Sequence, residues 1–353
     1  MYARVAVAST ALDMGPIQPH IANSLHGALV EALLAHGRLV FASNDEALTF
    51  VRALKGTVEI PQAARTRWEA MLIHLKQSGR VVIAQPPSET TLASVEAIDV
   101  LRAGWGGHTD VAVVAPARSA ALGLPEDTGI LSDPTHAPDV AVAATAIEAP
   151  ALVRIHDLQQ NPVAAHRSSR EDFWARVLEP MATGATEATI LDGYLFNRIS
   201  ELAHGRGRST GVPEHVCWLL QHLDCVMAGR STVRLIGNAS KLKTGDDAQT
   251  LADTIRDRWM PDRIGRLATV EILLGDPGNG RRAFPHDRHI RFSTGSAIKI
   301  PAGFDRLSDE NIWDTSGMWW DYLWHPRALD GLRADEQAAT GLARHPRSIV
   351  ISR

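Results

Sequence analysis

Short apolar runs alternate with amphipathic segments over the first 145 or so residues. The apolar runs are Arg4 to Ser9, Leu39 to Ala42, Arg80 to Ala84, Val111 to Ala115 and Val140 to Ala144. Helical spacing is found between them at Asn23 to His36, Ser43 to Leu54, Pro61 to Gly79 and Thr90 to Arg102. Strands that alternate with helices in this way form parallel sheets covered on both faces. The pattern predicts a three-layer, Rossmann-like α/β domain over residues 1–146.

The second half of the chain predicts another α/β domain with a different order of elements. Its predicted helices are Ser169 to Met181, with Ser169 as N-cap, and Pro213 to Met227. Its predicted strands are Ala188 to Leu191, Ala268 to Leu274, His289 to Ser293 and Ala297 to Ile300, the last two forming a hairpin around Gly295. Three prolines between Glu126 and Pro150 favour a domain boundary there. We therefore expect a second domain over 147–330 and a C-terminal tail over 331–353.

The hairpin is preceded by the candidate chemistry, His286-Asp287-Arg288. On an extended backbone His286 and Arg288 project from the same face, whereas His289 projects from the opposite one. An imidazole can act as nucleophile or base, and a guanidinium can bind an anionic oxygen. Other basic residues crowd the same stretch, so the local charge is positive. This arrangement is suited to handling phosphate.

The order of the motifs resembles one half of a phospholipase-D-like domain. Members of that superfamily carry H-x-K followed by Asp, whereas this chain has Arg288 at the Lys position, Ser293 at the Asp position and no second H-x-K within residues 150–329. It is more similar to a branch with D-x-Y, then H-D-R, then a glycine turn and G-F-D. That branch includes the C-terminal domain found beside MIT domains and domains of bacterial conflict and phage-defence proteins. The resemblance extends over residues 150–329, roughly half of the chain.

The resemblance implies that His286 attacks phosphorus to form a phospho-histidine and that Arg288 stabilises the phosphate oxygens, with no metal or cofactor in this domain. A second imidazole would protonate the leaving oxygen, supplied by the symmetry mate of His286 in a homodimer or by His204. Further substrate-binding residues are expected in the matching motifs and the basic segments: Arg282, Arg291, His204, Arg206, Arg208, Asp192, Tyr194, Gly303 and Asp305.

Scattered acids in the first domain leave a second possibility open. Open α/β sheets bind ligands at the carboxyl ends of their strands. If Asp13, Glu69, Asp99 and Asp110 converged there, they would form a divalent-metal site like that of a PIN-type nuclease. The ordinary interpretation is that such acids cap helices or pair with helix dipoles. The similarity of this domain to PIN-like folds is weak.

Composition narrows the class of protein. Thirty-six Lys and Arg against forty Asp and Glu give a net charge of −4, which argues against coating nucleic acid through bulk positive charge. Cys217 and Cys225 lie eight apart in one predicted helix, too far for a disulfide with each other, so a reducing compartment is expected. No apolar run reaches the roughly 18 residues of a membrane span. We expect a soluble cytoplasmic protein.

Three functional hypotheses follow. The first is a bacterial conflict or anti-phage protein that binds or cleaves phosphodiesters, most simply DNA or RNA, as a homo-oligomer and with a protein partner from the same defence locus. The second is a non-catalytic adaptor or sensor for anionic lipid headgroups or a protein partner. The third is a metal-dependent, PIN-like nuclease in the first domain. The sequence leaves the substrate and the activating signal open.

Overall fold

The computed structural model describes residues 2–85, 91–133, 137–205, 213–242, 247–277, 283–313, 315 and 317–342. The chain folds into two compact α/β units, residues 2–160 and residues 161 onward. The described helices include none that is long and apolar enough to cross a membrane.

The described residues of the first unit form six strands and six α-helices. Its strands are β1 (Ala3–Val7), β2 (Gly37–Phe41), β3 (Val81–Ile83), β4 (Val111–Val114), β5 (Ile130–Leu131) and β6 (Asp139–Val142). Its helices are α1 (Pro19–His36), α2 (Asn44–Arg52), α3 (Gln62–Gln77), α4 (Ile98–Trp105), α5 (Ser119–Leu122) and α6 (Pro150–Gln160). A π-helical turn, Ala53–Thr57, extends α2.

The strands form one sheet in the order β3-β2-β1-β4-β6-β5. All neighbours are parallel except β5, which runs antiparallel to β6. Strands β2 and β4 are buried along their whole length, as the near-continuous apolar runs predict. The strand order reverses direction between β1 and β4, the arrangement of a doubly wound sheet. The predicted α/β class is confirmed.

The starts of helices α2 and α4 compare differently with the predicted ones. Ser43 caps α2 by accepting a hydrogen bond from the Glu46 backbone N–H (3.1 Å), so this part of the predicted capping box is present. The Glu46 carboxylate accepts from the Ala42 N–H (2.6 Å) and from the Leu92 N–H (3.2 Å). Helix α4 starts only at Ile98, eight residues later than the predicted start at Thr90, which itself lies outside the described residues.

Helix α6 extends the first unit beyond the expected boundary at 146/147. Ala151 and Leu152 are buried in the core of this unit, and the Ala151 N–H donates to the Asp139 carboxylate at 2.8 Å. The proline-rich stretch predicted as a linker contains β5 and β6, which are strands of the sheet. The unit therefore ends after Gln160.

In the second unit, eight strands are found within the described ranges. They are β7 (Val163–Ala164), β8 (Glu187–Leu191), β9 (Ser231–Asn238), β10 (Leu267–Gly275), β11 (His289–Phe292), β12 (Ser296–Lys299), β13 (Met318–Trp319) and β14 (Asp321–Leu323). Its helices are α7 (Arg170–Phe173), α8 (Glu179–Ala182), α9 (Asn197–Ala203), α10 (His215–Val226), α11 (Ala248–Trp259) and α12 (Pro326–Gly341). A π-helical turn, Trp174–Leu178, joins α7 to α8, so the helix predicted from Ser169 is continuous but locally widened.

The main sheet of the second unit is mixed, in the order β10-β9-β8-β11-β12-β14. Strands β8, β9 and β10 are parallel, whereas β11 is antiparallel to both β8 and β12. The predicted hairpin of β11 and β12 is confirmed. Since β11 runs in the reverse direction, the residues that precede it lie at the same edge as the residues that follow β8. This reversal determines which motifs can meet.

Helix α12 shows that residues 331–342 are not a tail. Leu329 and Leu332 pack against Ala297 of β12, and Ala339 packs with Leu191 and Ile236. The apolar spacing on α12 places these side chains on one face of the helix. Helix α12 therefore covers the mixed sheet and belongs to the second unit.

Candidate functional site

Three sequence motifs meet at one edge of the mixed sheet. Asp192-Gly193-Tyr194 follows β8, His286-Asp287-Arg288 precedes the antiparallel β11, and Gly303-Phe304-Asp305 follows β12. The register pairs His289 with Leu191, which brings Arg288 beside Asp192. Five of the predicted site residues are thereby gathered: Asp192, Tyr194, Arg288, Gly303 and Asp305.

Asp192 is the centre of this arrangement. It is 1% exposed, and its carboxylate accepts hydrogen bonds from the Tyr194 N–H (2.8 Å) and the Phe304 N–H (3.0 Å). The guanidinium Nε of Arg288 lies 3.6 Å from its Oδ1. A buried carboxylate needs such partners, because desolvation without them is costly. Asp192 thus joins all three motifs.

Tyr194 carries two cations on its ring. The guanidinium carbon of Arg288 and the ammonium of Lys241 each lie 5.1 Å from the ring centroid. Both distances are within cation–π range. The Tyr194 side chain is 38% exposed, and Arg288 is 24% exposed. Two positive charges are therefore held at the surface of the same ring.

Position 303 requires glycine for two reasons, its backbone conformation and the steric clash that a Cβ would cause. Its φ of +97° lies in the region that favours glycine. A Cβ at this position would lie 2.6 Å from Nη1 of Arg288, 2.7 Å from Oδ1 of Asp305 and 3.2 Å from Oδ2 of Asp192. The glycine of the G-F-D ending lets the chain pass directly under the guanidinium.

An open cleft of about 420 Å³ lies over these residues, lined by Tyr194, Asn197, Arg198, Glu201, Arg288 and Asp305. Helix α9 contributes three of them, and sequence reasoning missed all three. Asn197, Arg198 and Glu201 occupy positions i, i+1 and i+4 of α9. The start of this helix three residues after Tyr194 is the sequence signal that could have identified them. Arg198 pairs with Glu201 at 3.5 Å. The Oδ1 atom of Asn197 is buried and accepts no hydrogen bond from the described residues.

His286 does not line this cleft. Strand β11 begins at His289, so His286 and Arg288 lie in irregular backbone before the strand and do not share a strand face as expected. The His286 side chain is exposed, whereas Arg288 turns towards Asp192. Asp287, between them, pairs with Lys299 at 2.6 Å. The nucleophile implied by the resemblance is thus outside the cleft that Arg288 lines.

Arg291 and His289 have a structural partner instead of a ligand. Glu336 of α12 accepts from Arg291 (2.7 and 2.6 Å) and lies 3.1 Å from Nε2 of His289. Burial by itself would raise the pKa of Glu336, but the hydrogen bonds from His289 and Arg291 lower it, so the carboxylate stays ionised. The expected substrate role of Arg291 does not fit this geometry. Its guanidinium fastens α12 to the sheet.

Ser293 occupies the motif position where the family has Asp, and it lies at the far end of β11. Its hydroxyl accepts from the Thr186 N–H at 2.9 Å, before the start of β8. It therefore cannot orient a group beside Arg288. His204 is exposed at the end of α9 and does not line the cleft. The remaining predicted phosphate-binding residues, Arg206, Arg208 and Arg282, lie outside the described residues.

The four acids of the alternative metal site are not brought together. Asp13 follows the carboxyl end of β1, but Asp110 precedes β4, which puts it at the opposite edge of a parallel sheet. Asp110 pairs with Arg4 at 2.7 Å. Glu69 lies within α3 and Asp99 in the first turn of α4. Among the residues with described structure, no three His, Cys, Asp or Glu side chains are placed to hold a metal ion.

A second cleft of the same unit is larger, about 560 Å³, but contains none of the motif residues. Glu171 in its wall accepts from Nε1 of Trp218 (2.6 Å) and lies 2.9 Å from Nε2 of His222. Burial lowers the pKa of His222, although Glu171 opposes the shift. The buried guanidinium of Arg170 donates to the carbonyl oxygens of Pro213 and Leu307, both at 3.0 Å. Most polar groups in this cleft satisfy one another.

The geometry therefore singles out the smaller cleft, which we call the Tyr194 cleft after the exposed ring at its centre. Its cations and the buried Asp192 that positions Arg288 form an arrangement able to bind an anionic oxygen. Neither a model of any known protein family nor any curated protein sequence matches this chain.

Proposed function

We propose that the second unit binds a phosphodiester of DNA or RNA in the Tyr194 cleft, with Arg288 as the principal phosphate ligand. The observation that carries the proposal is the fixed position of Arg288. Its Nε is 3.6 Å from the buried carboxylate of Asp192, and its guanidinium lines the open cleft. A guanidinium held by a buried acid loses little side-chain entropy when it binds a phosphate.

Further groups around the cleft support a nucleotide ligand. Arg198 is 52% exposed along one wall, and Lys241 lies against the Tyr194 ring. These positive charges suit a backbone that carries repeated phosphates. Asn197 adds a neutral amide to the lining of the cleft. Glu201 and Asp305 add negative charge beside the cations, which would restrict where a phosphate sits.

The proposal favours binding over cleavage. A nucleophilic histidine must lie within reach of the phosphorus atom, and His286 is exposed outside the cleft lining. The rest of the hypothesis depends on the resemblance to H-D-R domains. It comprises a role in bacterial conflict or phage defence, cytoplasmic action, a homo-oligomer and a protein partner from the same locus.

The test is binding of fluorescein-labelled single-stranded DNA and RNA, measured by polarisation over a range of salt concentrations. The Arg288→Gln variant should bind about tenfold more weakly, and the slope of log affinity against log salt should fall by about one. Arg256→Gln is the matched control. That arginine is 41% exposed on α11 and pairs with Asp253, so its substitution removes an equivalent charge far along the sequence from the motifs.

Equal losses in both variants would reject Arg288 as the ligand. Binding to phosphatidylserine vesicles but not to either nucleic acid would replace the proposal with the lipid-headgroup alternative. The same samples should be assayed for cleavage. We expect none; an EDTA-resistant cleavage that is lost in His286→Ala would restore the phospho-histidine mechanism, and a metal-dependent cleavage lost in Asp13→Ala would place the chemistry in the first unit.

A further inference from the structure

A buried histidine lies beneath the Tyr194 cleft, and sequence reasoning did not single it out. His215 is the first residue of α10 and is fully buried. Its Nε2 is 3.1 Å from the carbonyl oxygen of Leu195, and its Nδ1 is 3.0 Å from the hydroxyl of Ser308. The carboxylate of Glu214 also contacts Nδ1 closely. Both ring nitrogens are thus engaged.

The identity of these partners determines the protonation state. A backbone carbonyl can only accept a hydrogen bond, and so can an ionised carboxylate. Glu214 accepts from the Val216 N–H (2.9 Å) as the N-cap of α10, a role suited to the ionised form. Nε2 faces a pure acceptor and Nδ1 faces another, so each nitrogen must carry a proton. His215 is therefore an imidazolium, paired with Glu214.

His215 connects the two walls of the cleft. Leu195 directly follows Tyr194, the residue at the centre of the cleft. Ser308 ends the short 3-10 helix Phe304–Leu307, which contains Asp305 of the other wall. Asp192 joins the same two segments by hydrogen bonds, to the Tyr194 and Phe304 N–H groups. Loss of the His215 contacts would remove a second connection between these segments.

We propose that His215 is a positioning residue of the Tyr194 cleft and that its protonation sets the affinity of the cleft for a phosphodiester. The inference rests on the proposed function. With the imidazolium in place, the Tyr194 and Asp305 walls are held at the spacing that places Arg288, Arg198 and Asn197 around one ligand. When Nδ1 loses its proton, its lone pair faces the Glu214 carboxylate. The repulsion displaces the ring from Leu195 and Ser308, and the walls separate.

The carboxylates around His215 also favour the protonated form of its ring. Burial by itself would lower the pKa of the His215 ring, but Glu214 first, then Asp192 and Asp305, outweigh it and raise the pKa above the ordinary value. The nearby guanidinium of Arg170 donates to the carbonyls of Pro213 and Leu307, one on each side of this network. Affinity should be full below about pH 6.5, the ordinary histidine value, and fall as the pH rises through the pKa of His215.

The experiment combines a phosphodiester probe with direct detection of the ring. Fluorescein-labelled oligothymidylate is suitable because its backbone phosphates do not titrate between pH 6 and 10. Its affinity for the full-length chain is measured over that range for the wild type, Glu214→Gln, Ser308→Ala and Ser293→Ala. Two-dimensional ¹⁵N–¹H spectra of the histidine rings and backbone amides are recorded without the probe.

Glu214→Gln keeps the cap but removes the charge, so the loss of affinity should move to lower pH. Ser308→Ala should weaken binding about fivefold through one lost hydrogen bond to a charged group. Ser293→Ala, which removes a hydroxyl bonded to the backbone at the far end of β11, should leave both affinity and pH profile unchanged. Without the probe, His215 should show two N–H signals at pH 6, and the amides of Tyr194 and Asp305 should shift as it titrates.

The inference is overturned by a singly protonated His215 ring at pH 6 or by a pH profile that Glu214→Gln does not move. Failure of the proposed function has a different signature. The probe would then not bind at any pH, while the His215 signals and the linked shifts of Tyr194 and Asp305 would still report whether the ring holds the walls. The dispersion of the amide spectrum shows whether each variant is folded.

Discussion

The two units arrange polar residues at the edges of their sheets in different ways. In the first unit, acids stand after β1 and before β4, and because these strands are parallel the acids lie at opposite edges. In the second unit, motif residues stand after β8, before β11 and after β12, and because β11 is antiparallel they lie at one edge. The reversal of β11 therefore brings the motif residues of the second unit to one edge, whereas the parallel β1 and β4 keep the acids of the first unit apart.

The contrast extends to individual carboxylates. Asp110 of the first unit is 32% exposed on its side chain and binds one residue, Arg4, through its backbone and guanidinium. Asp192 of the second unit is buried and joins three separate segments. An exposed pair contributes little to stability, whereas a buried carboxylate with several partners is costly to remove. The position of a carboxylate in the sheet, more than its residue type, determines its role.

Substitution of Asp192 should produce the largest effect. Asp192→Ala should destabilise the turn at Tyr194 and the segment at Phe304 by about 3 kcal/mol, because two backbone N–H groups and a guanidinium lose a buried acceptor. Asp110→Ala should cost about 1 kcal/mol around Arg4. Amide hydrogen exchange at Tyr194, Phe304 and Arg4 measures both. Similar costs at the two sites would contradict the contrast between the two edges.

Glu336→Gln should destabilise the docking of α12 by about 2 kcal/mol, since Gln cannot accept both charged donors, Arg291 and His289, as a carboxylate does. Oligonucleotide affinity should remain within about twofold of the wild type, because neither donor lines the cleft. Urea unfolding and the polarisation assay test the two statements separately. A large loss of affinity with intact α12 would return Arg291 to the binding site.

Gly303→Ala should cost roughly 1–2 kcal/mol and weaken binding, because the new Cβ would displace the Arg288 guanidinium. Gly123→Ala in the first unit separates the two causes. Gly123 also has a positive φ, +71°, but nothing lies within 4 Å of a Cβ there, so only backbone strain of about 1 kcal/mol is expected. If Gly123→Ala and Gly303→Ala cost the same and both spare binding, the close approach of Gly303 to Arg288 is irrelevant.

The smallest effects should be opposite pH dependences of the two units. His215 has a raised pKa, so its contribution to the second unit is complete below about 6.5, the ordinary histidine value, and is lost as the pH rises through its folded pKa. His26 of the first unit has a pKa lowered by burial and accepts from Trp68 Nε1 at 3.1 Å, so its contribution is lost as the pH falls below about 6.5. Hydrogen exchange resolved by unit, from pH 5 to 9, measures both slopes. The exposed His286, replaced by Ala, should change neither.

Sequence reasoning recovered the fold where periodicity is local. Strands β1 to β4, β6, β8 and β10, the cap at Ser43 and the β11–β12 hairpin follow from patterns within a few residues. Strands β5, β9 and β14 of the two sheets were not predicted. Helix α12 was missed and assigned to a tail, because its apolar face is short and its partner, the mixed sheet, lies far away in the chain.

The candidate site was recovered in its motifs but not in its roles. Asp192, Tyr194, Arg288, Gly303 and Asp305 meet as the ordered motifs suggested. The exposure of His286 could not be read from the sequence, because it depends on where β11 begins, and a shift of one residue changes the face of every side chain. The role of Arg291 was misjudged because its partner, Glu336, is distant in sequence. His215 was missed because its contact with Ser308 is visible only in three dimensions.

The reversed strand also has a consequence for synthesis of the chain. His289, which pairs with Leu191, follows it by 98 residues. At the usual elongation rate of about 5–20 residues per second, β8 waits roughly 5–20 s for this neighbour. During that interval one edge of β8 has unpaired N–H and C=O groups, which can pair with another strand. Pausing of the ribosome between Leu191 and His289 would lengthen this exposure, so the yield of folded protein should depend on codon usage in that interval.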